Sequence, residues 1–379
     1  MTVLSGARVV SGDEVFDHGW VRVEGDRIAE VGSGPAPTSD VTDLGGAWLV
    51  PGFVDIHVHG GGGASFCDGD PGQARRAAEF HLAHGSTTVI ASLVTAPAGS
   101  LLDSVRMLAR LAETGVIAGT HLEGPYLAAA RCGAHDPALL RVPDLDELAG
   151  LLDAGRGTVR QVTVAPELPG ALDVIKLIAD AGVVAAVGHT DATYAQARAG
   201  FDAGATLATH LYNGMRPVHH REPGVVTAAL ADERVAVELI NDGVHLHPAI
   251  VRDAFARAGA GRVALVTDAM TAAGAGDGEY ELGGRHVVVT AGVARLADGG
   301  AIAGSTLTMD VAVRRAVREA GVSMVDAVRA AATTPAWVLR LDRVGAIAAG
   351  QQADLVVLDD DLAVRRVMRR GRWVSTSRT

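Results

Sequence analysis

Hydrophobic and polar positions along the chain fall into two textures. Residues 2–50 carry short runs in which valines alternate with polar side chains (VLSGARVV, GWVRVEGDRIAEVG, DLGGAWLVPG), and glycine-containing turns separate them. That period-2 pattern predicts β-strands. Residues 345–379 have the same texture in GAIAAGQQADLVVLDDDLAVRRVMRRGRWVS. Strands at both ends need partners for their edges, so 1–50 and 345–379 are expected to build one small β-sandwich together. In between, β-branched apolar runs alternate with Ala/Leu/Arg stretches of helical period. Eight runs read as strands: 52–58, 86–93, 116–123, 160–165, 183–188, 205–210, 235–241 and 262–268. The segments PGQARRAAEFHLAHG, SLLDSVRMLARLAETG, PGALDVIKLIADAG and YAQARAGFDAG lie between them, and each closes on a glycine, a helix C-terminal stop.

Eight strand–helix repeats of about 25 to 35 residues predict an α/β protein whose central part, 51–344, is a (β/α)₈ barrel. Residues 279–300, with YELGGRHVVVTAGVARLADGG, read as a β-hairpin excursion before the last helix. An open doubly wound sheet is the alternative, but no strand–GxGxxG–helix unit is present. The GGGG at 60–63 lacks the Lys-Ser/Thr of a phosphate loop and is expected to be a mobile loop near the site.

Composition narrows the function. The 379 residues include 48% hydrophobic side chains, 47 glycines and a net charge of −11 with no basic block, which argues against nucleic acid or an anionic membrane as partner. An acidic surface leaves room for a local arginine to bind a phosphorylated substrate. The two cysteines, Cys67 and Cys132, cannot form a disulfide framework, and the N-terminus shows neither a basic n-region nor an apolar h-region. A cytoplasmic location is therefore expected.

The chemistry lies at the strands' ends. Alternation sends His57 and His59 of PGFVDIHVHG to one face of the first strand. Glu123 ends the third strand, His189 the fifth, His210 the sixth and Asp268 the eighth. Each alone fits a duller role, as a cap, a core histidine or a loop hydrogen-bonder. Together they occupy the C-terminal mouth where such barrels place their active sites. Imidazoles and carboxylates suit zinc, iron, manganese or cobalt, and the absence of Cys ligands argues against a closed structural zinc site. A carboxylate such as Glu123 can bridge two cations, and Asp268 can touch the metal and take the proton of the attacking water. Asn213 and Gly214, just past His210, can offer N–H groups to a phosphate or sugar, and Arg221 has the forked guanidinium suited to phosphate.

Longer motifs sharpen this. HLEGPYL, GHTDATY, ATHLYNGM, REPG, DGVH, VTDAM and AGSTLTM, with PGFVDIHVHG before them and GAIAAGQQADLVVLD after, run through nearly the whole chain. In that order they resemble the N-acetylglucosamine-6-phosphate deacetylases of the amidohydrolase superfamily. The resemblance implies a (β/α)₈ barrel with a β-sandwich built from both termini. It also implies a metal held by Glu123, His189 and His210, with Asp268 as acid/base. His57 and His59 would complete a second site with Glu123 and Asp268; some members lack these histidines and use one metal, so this chain is expected to take two, zinc first among the candidates. His135 in CGAHDP is implied near the acetyl carbonyl, His245 at the sugar or phosphate, and Thr306 and Leu307 along the sugar pocket. Arg221 is implied to reach the neighbouring subunit's site in a homodimer.

The expected reaction is hydrolysis of N-acetylglucosamine 6-phosphate to glucosamine 6-phosphate and acetate by a metal-bound hydroxide. A different amidohydrolase, acting on a cyclic amide or an N-acyl amino acid, stays open. Relatives of the cyclic-amide kind often bridge metals with a carboxylated lysine, and the only lysine here, Lys176, falls on a predicted helix. A catalytically silent scaffold is the third reading, and it would be expected to have lost ligands. His121 is expected one layer below the metal, and His81 at a surface or helix position.

Overall fold

Eight parallel strands pair side by side in the order in which they occur in the sequence: Phe53–Val58, Ser86–Leu93, Gly119–Glu123, Val159–Val164, Val184–Val187, Leu207–Ala208, Ala236–Ile240 and Val263–Val266. In this computed structural model, which describes residues 1–298 and 300–375, each strand is followed by a helix. The helices are Pro71–Ala83, Ala98–Glu113, Leu145–Ala154, Ala171–Asp180, Tyr194–Asp202, Gly224–Ala231, Pro248–Ala258 and Met309–Arg318. The strands are buried on both faces, as parallel sheets under helices are. At the seam between the first and eighth strands, the Asp268 N–H donates to the His57 carbonyl (2.8 Å) and Thr267 Oγ1 to Asp55 Oδ2 (2.6 Å). The (β/α)₈ barrel stands as expected.

Helix starts follow local chemistry. Asp70 accepts from the N–H groups of Gly72 and Gln73 ahead of Pro71, and Thr193 and Gln196 form a reciprocal capping box. Most of the strands are shorter than their apolar runs. The run at 205–210 yields only Leu207–Ala208, and the run at 262–268 stops at Val266. Hydrophobicity marks burial, whereas the ladder stops where the backbone turns over the barrel mouth.

Both termini share one sheet. Its strands run in the order Arg372–Trp373, Val364–Arg369, Leu355–Leu358, Trp48–Pro51, Thr2–Ser11, Glu14–Glu24, Arg27–Ser33, with Thr42–Asp43 beside Thr2–Ser11. Leu355–Leu358 lies antiparallel to Trp48–Pro51, so the C-terminal segment is stitched directly to the strand that leads into the barrel. Leu4, Val21, Ile28, Leu49, Leu355 and Met368 form a core for this module separate from that of the barrel. Residues 376–379 of the expected C-terminal part, and 299 of the expected hairpin, lie outside the described residues.

The excursion has three antiparallel strands, Gly278–Leu282, Arg285–Thr290 and Val293–Leu296, one more than a hairpin. The glycines at 60–63 form a tight hairpin instead of an open loop, with buried Gly60–Gly61 pairing to Ala64–Ser65 and Gly62 and Gly63 exposed at its turn. A Cβ on Gly60 would lie 2.4 Å from the Ala64 carbonyl oxygen, so glycine is required there by close approach. No helix among the described residues is long and apolar enough to cross a membrane.

Candidate active site

The first strand delivers His57 and His59 to the same point, their Nε2 atoms 3.2 Å apart. Glu123, the last residue of the third strand, enters between them and a second histidine pair. Its Oε1 lies 3.0 Å from both His189 Nε2 and His210 Nε2, and its Oε2 lies 3.2 Å from His59 Nε2. Asp268 Oδ1 is 3.2 Å from His59 Nε2 and 3.5 Å from His57 Nε2.

His189, His210 and Asp268 each stand two residues beyond the end of a strand, and all three have left-handed backbones, with φ of 45°, 28° and 48°. Such conformations cost non-glycine residues about 1–3 kcal/mol and persist where the surroundings over-determine them. Here they end the ladder and turn the side chain over the mouth of the barrel.

The imidazoles are oriented from behind. His57 Nδ1 donates to Glu238 Oε2 (3.0 Å), His59 Nδ1 to the Ser92 carbonyl (3.2 Å) and His189 Nδ1 to the Arg131 carbonyl (2.8 Å). With the Nδ1 protons so committed, each of these rings, in its neutral form, turns an Nε2 lone pair inward. His189 Nε2 and His210 Nε2 lie 3.0 Å apart, with carboxylate oxygens as their other near neighbours. A buried cluster of acceptors facing acceptors fits a cation. The donor atoms of His57, His59 and Glu123, and those of Glu123, His189 and His210, form two groups able to hold a metal ion, with Glu123 common to both.

The electrostatics agree. Burial pushes His57 down, but the charges of Glu123, Glu238 and Asp268 outweigh it and raise the ring well above its ordinary value. His59 and His189 are raised in the same way against burial. Burial pushes the Asp268 carboxyl up, and His57 and His59 overcome it, bringing it down to about 2. The site is built to hold positive charge.

His135 is buried beside this cluster, its Nε2 3.3 Å from Glu123 Oε2. Its Nδ1 accepts from the Thr95 N–H (3.3 Å) and lies 3.0 Å from Thr95 Oγ1, which leaves the ring proton on Nε2, facing the site. Burial pushes its pKa down to about 4, so the ring is a neutral donor at pH 7. Asn213, Gly214 and His245 line the same cavity. His245 Nδ1 is bound to Asp242 Oδ2 (2.7 Å), whose charge outweighs burial and raises the ring above its ordinary value.

Three expected contacts lie elsewhere in this chain. Arg221 is exposed, outside its own cavity, with Nη1 2.8 Å from His220 Nε2. Thr306 Oγ1 donates to the Gly292 carbonyl (2.7 Å), and the Leu307 side chain packs into the barrel core. His121 lies beneath His57, between Ser92 Oγ (3.0 Å) and Thr163 Oγ1 (2.9 Å). Lys176 is exposed on its helix, 3.5 Å from Asp173, and takes no part in the site. Sequence reasoning missed Glu238, whose signal was a lone charge inside the apolar run AVELI, and Thr95, which carried none.

The amidohydrolase family profile matches residues 48–374. An N-acetylgalactosamine-6-phosphate deacetylase of Escherichia coli O157:H7 is 38% identical, covering 98% of this chain and 99% of that protein. An N-acetylglucosamine-6-phosphate deacetylase of Vibrio furnissii is 36% identical, covering 90% and 86%. A mutant N-acetyl-D-glucosamine-6-phosphate deacetylase of Mycobacterium smegmatis, solved in complex with N-acetyl-D-glucosamine 6-phosphate, is 51% identical with a TM-score of 0.97 over 99% of each chain. A profile match that takes in the whole barrel, and relatives this similar along nearly their full length, make the chain a member of the amidohydrolase family.

Proposed function

We propose that the protein hydrolyses the acetamide of N-acetylglucosamine 6-phosphate, releasing acetate and glucosamine 6-phosphate, in amino-sugar recycling. The observation that carries this is the shared carboxylate of Glu123, held between two histidine pairs with Asp268 and the His135 Nε2–H facing the same space.

His57, His59, Glu123 and Asp268 would hold one divalent cation, and Glu123, His189 and His210 another, zinc being the first candidate among metals that suit these ligands. When bound, such cations supply Lewis acidity toward the amide carbonyl and lower the pKa of a water molecule. Asp268, ionised at neutral pH, accepts the proton of the attacking water on its carboxylate and returns it to the departing amine. His135 donates from Nε2 to the oxygen that gains charge as the carbonyl becomes tetrahedral, and Thr95 holds it in that tautomer. Asn213 and the backbone of Gly214 meet the sugar phosphate, and His245 approaches it with its ring fixed by Asp242.

Arg221 is exposed and does not line its own cavity, and this supports a homodimer in which it reaches the neighbouring site. Thr306 and Leu307 would act on the sugar through the backbone and shape of their loop, since neither side chain opens to the cavity.

The similarity to the Escherichia coli relative favours a second reading, the 4-epimer N-acetylgalactosamine 6-phosphate. Acetate release measured with both phosphosugars and with unphosphorylated N-acetylglucosamine separates them. The first reading expects the highest kcat/KM with N-acetylglucosamine 6-phosphate and at least 100-fold less without the phosphate. Equal rates with and without phosphate would sink it.

A further inference from the structure

A second cavity, of about 390 Å³, opens at the opposite end of the barrel, against the terminal sheet. Arg160, at the start of the fourth barrel strand, lines it together with Arg369, which ends the strand Val364–Arg369, Arg370 in the turn that follows, and Arg340 of the connection into the C-terminal strands. Many half-buried arginines in this chain are paired with carboxylates, such as Arg131 and Arg216 with Asp191. In this cavity Arg160 and Arg369 are half-buried and Arg340 and Arg370 exposed, and among the described residues none of the four forms an ion pair. Arg160 Nε reaches only the Ala118 carbonyl (3.4 Å), and Arg369 Nη2 only those of Gly115 (2.8 Å) and Val116 (3.5 Å). Two carboxylates share the cavity, Asp342 and Asp354, and Asp354 Oδ1 accepts from the Arg370 backbone N–H (2.6 Å). Burial lowers the Arg369 guanidinium; the Asp354 charge opposes this, and the adjacent Arg370 charge adds to the lowering.

Four like charges held together in a protein of net charge −11 are an arrangement that folding alone does not favour. With the two aspartates counted, the lining carries two net positive charges, the complement of a phosphate dianion. Guanidinium forks arranged around one space suit an anion with three or four acceptor oxygens better than a single carboxylate.

We infer that this cavity between the base of the barrel and the terminal sheet is a binding site for a phosphate group, either free or carried on a small ester. It lies at the strands' N-terminal ends, away from the chemistry, and is independent of the deacetylase reading.

Calorimetric titration of the metal-loaded full chain tests this, with inorganic phosphate and glucose 6-phosphate as separate probes. The parent protein is compared with Arg340→Gln/Arg370→Gln, two exposed positions whose replacement spares the core. A class of phosphate sites present in the parent and weakened at least tenfold in the variant, with kcat and KM for deacetylation within twofold, supports the site. Appearance of that class with both probes assigns it to esters as well, and with phosphate alone to the free ion. The charge-conserving Arg340→Lys/Arg370→Lys should retain part of the affinity. Identical isotherms for parent and Gln variant overturn the inference, as does equal or tighter binding of malonate.

Discussion

Glu238 accepts from His57: its Oε2 lies 3.0 Å from His57 Nδ1, and the same oxygen takes the backbone N–H of His210 at 3.0 Å. Its Oε1 takes Gln161 Nε2 at 2.8 Å. One fully buried carboxylate thus fixes a histidine from each of the two pairs. Three donors converge on it, and an amide in its place has a single acceptor oxygen. Glu238→Gln should therefore leave at least one donor unsatisfied and loosen the His57 tautomer. Metal affinity is expected to fall about 10- to 100-fold, read by competition with a chromogenic chelator. Unchanged affinity would mean that Glu238 only fills space.

His57 and His59 hold a different share of the centre from His189 and His210, since only Glu123 belongs to both groups. Replacing the first pair together, His57→Gln and His59→Gln, should remove one metal equivalent per chain and leave the other. Elemental analysis after dialysis against excess zinc measures this directly. Two equivalents retained, or none, would contradict the division.

Much of this centre was legible in the sequence because barrels put strand ends in one place. Once eight apolar runs were counted, His57, Glu123, His189, His210 and Asp268 had to meet. The left-handed turns at His189, His210 and Asp268 were not legible, because steric preference argues against them and only the assembled site holds them. Glu238 was hidden for a related reason: a charge in an apolar run shows its worth only when the donors from the neighbouring strands are in place. Thr306 and Leu307 illustrate the reverse error of scale, in which a motif marks a loop correctly without saying which of its side chains opens to the cavity.

Asp268→Asn preserves shape but removes the proton acceptor. We expect kcat to fall by about 10²–10⁴ while substrate still binds, the range in which positioned general acid–base groups act. Steady-state rates on the zinc-loaded protein, with binding of the product glucosamine 6-phosphate as the control, separate the two effects. A kcat within tenfold of the parent would remove Asp268 from the proton-transfer role.

His81 is on its expected helix, Pro71–Ala83, but fully buried there and not at the surface, with Nε2 donating to the Gly60 carbonyl at 2.8 Å. Burial lowers its pKa to about 4 from an ordinary 6.5. The sign follows from proton counts. Above pH 6.5 neither the folded nor the unfolded chain binds a proton at this ring, and its contribution is flat. Between 6.5 and 4 the unfolded chain takes up a proton that the folded chain refuses, so stability falls as the solution is acidified. The loss is at most about 3 kcal/mol across that window, at 1.36 kcal/mol per pH unit. Glutamine can keep the donor to Gly60 without titrating. The stability difference between parent and His81→Gln, measured by urea unfolding of the chelated proteins, should therefore shift in favour of the variant by 1 kcal/mol or more from pH 7 to pH 5. Comparing the two proteins at each pH cancels the acid sensitivity of the histidine–carboxylate cluster, which both share; parallel curves would show that His81 titrates alike in the folded and unfolded chains.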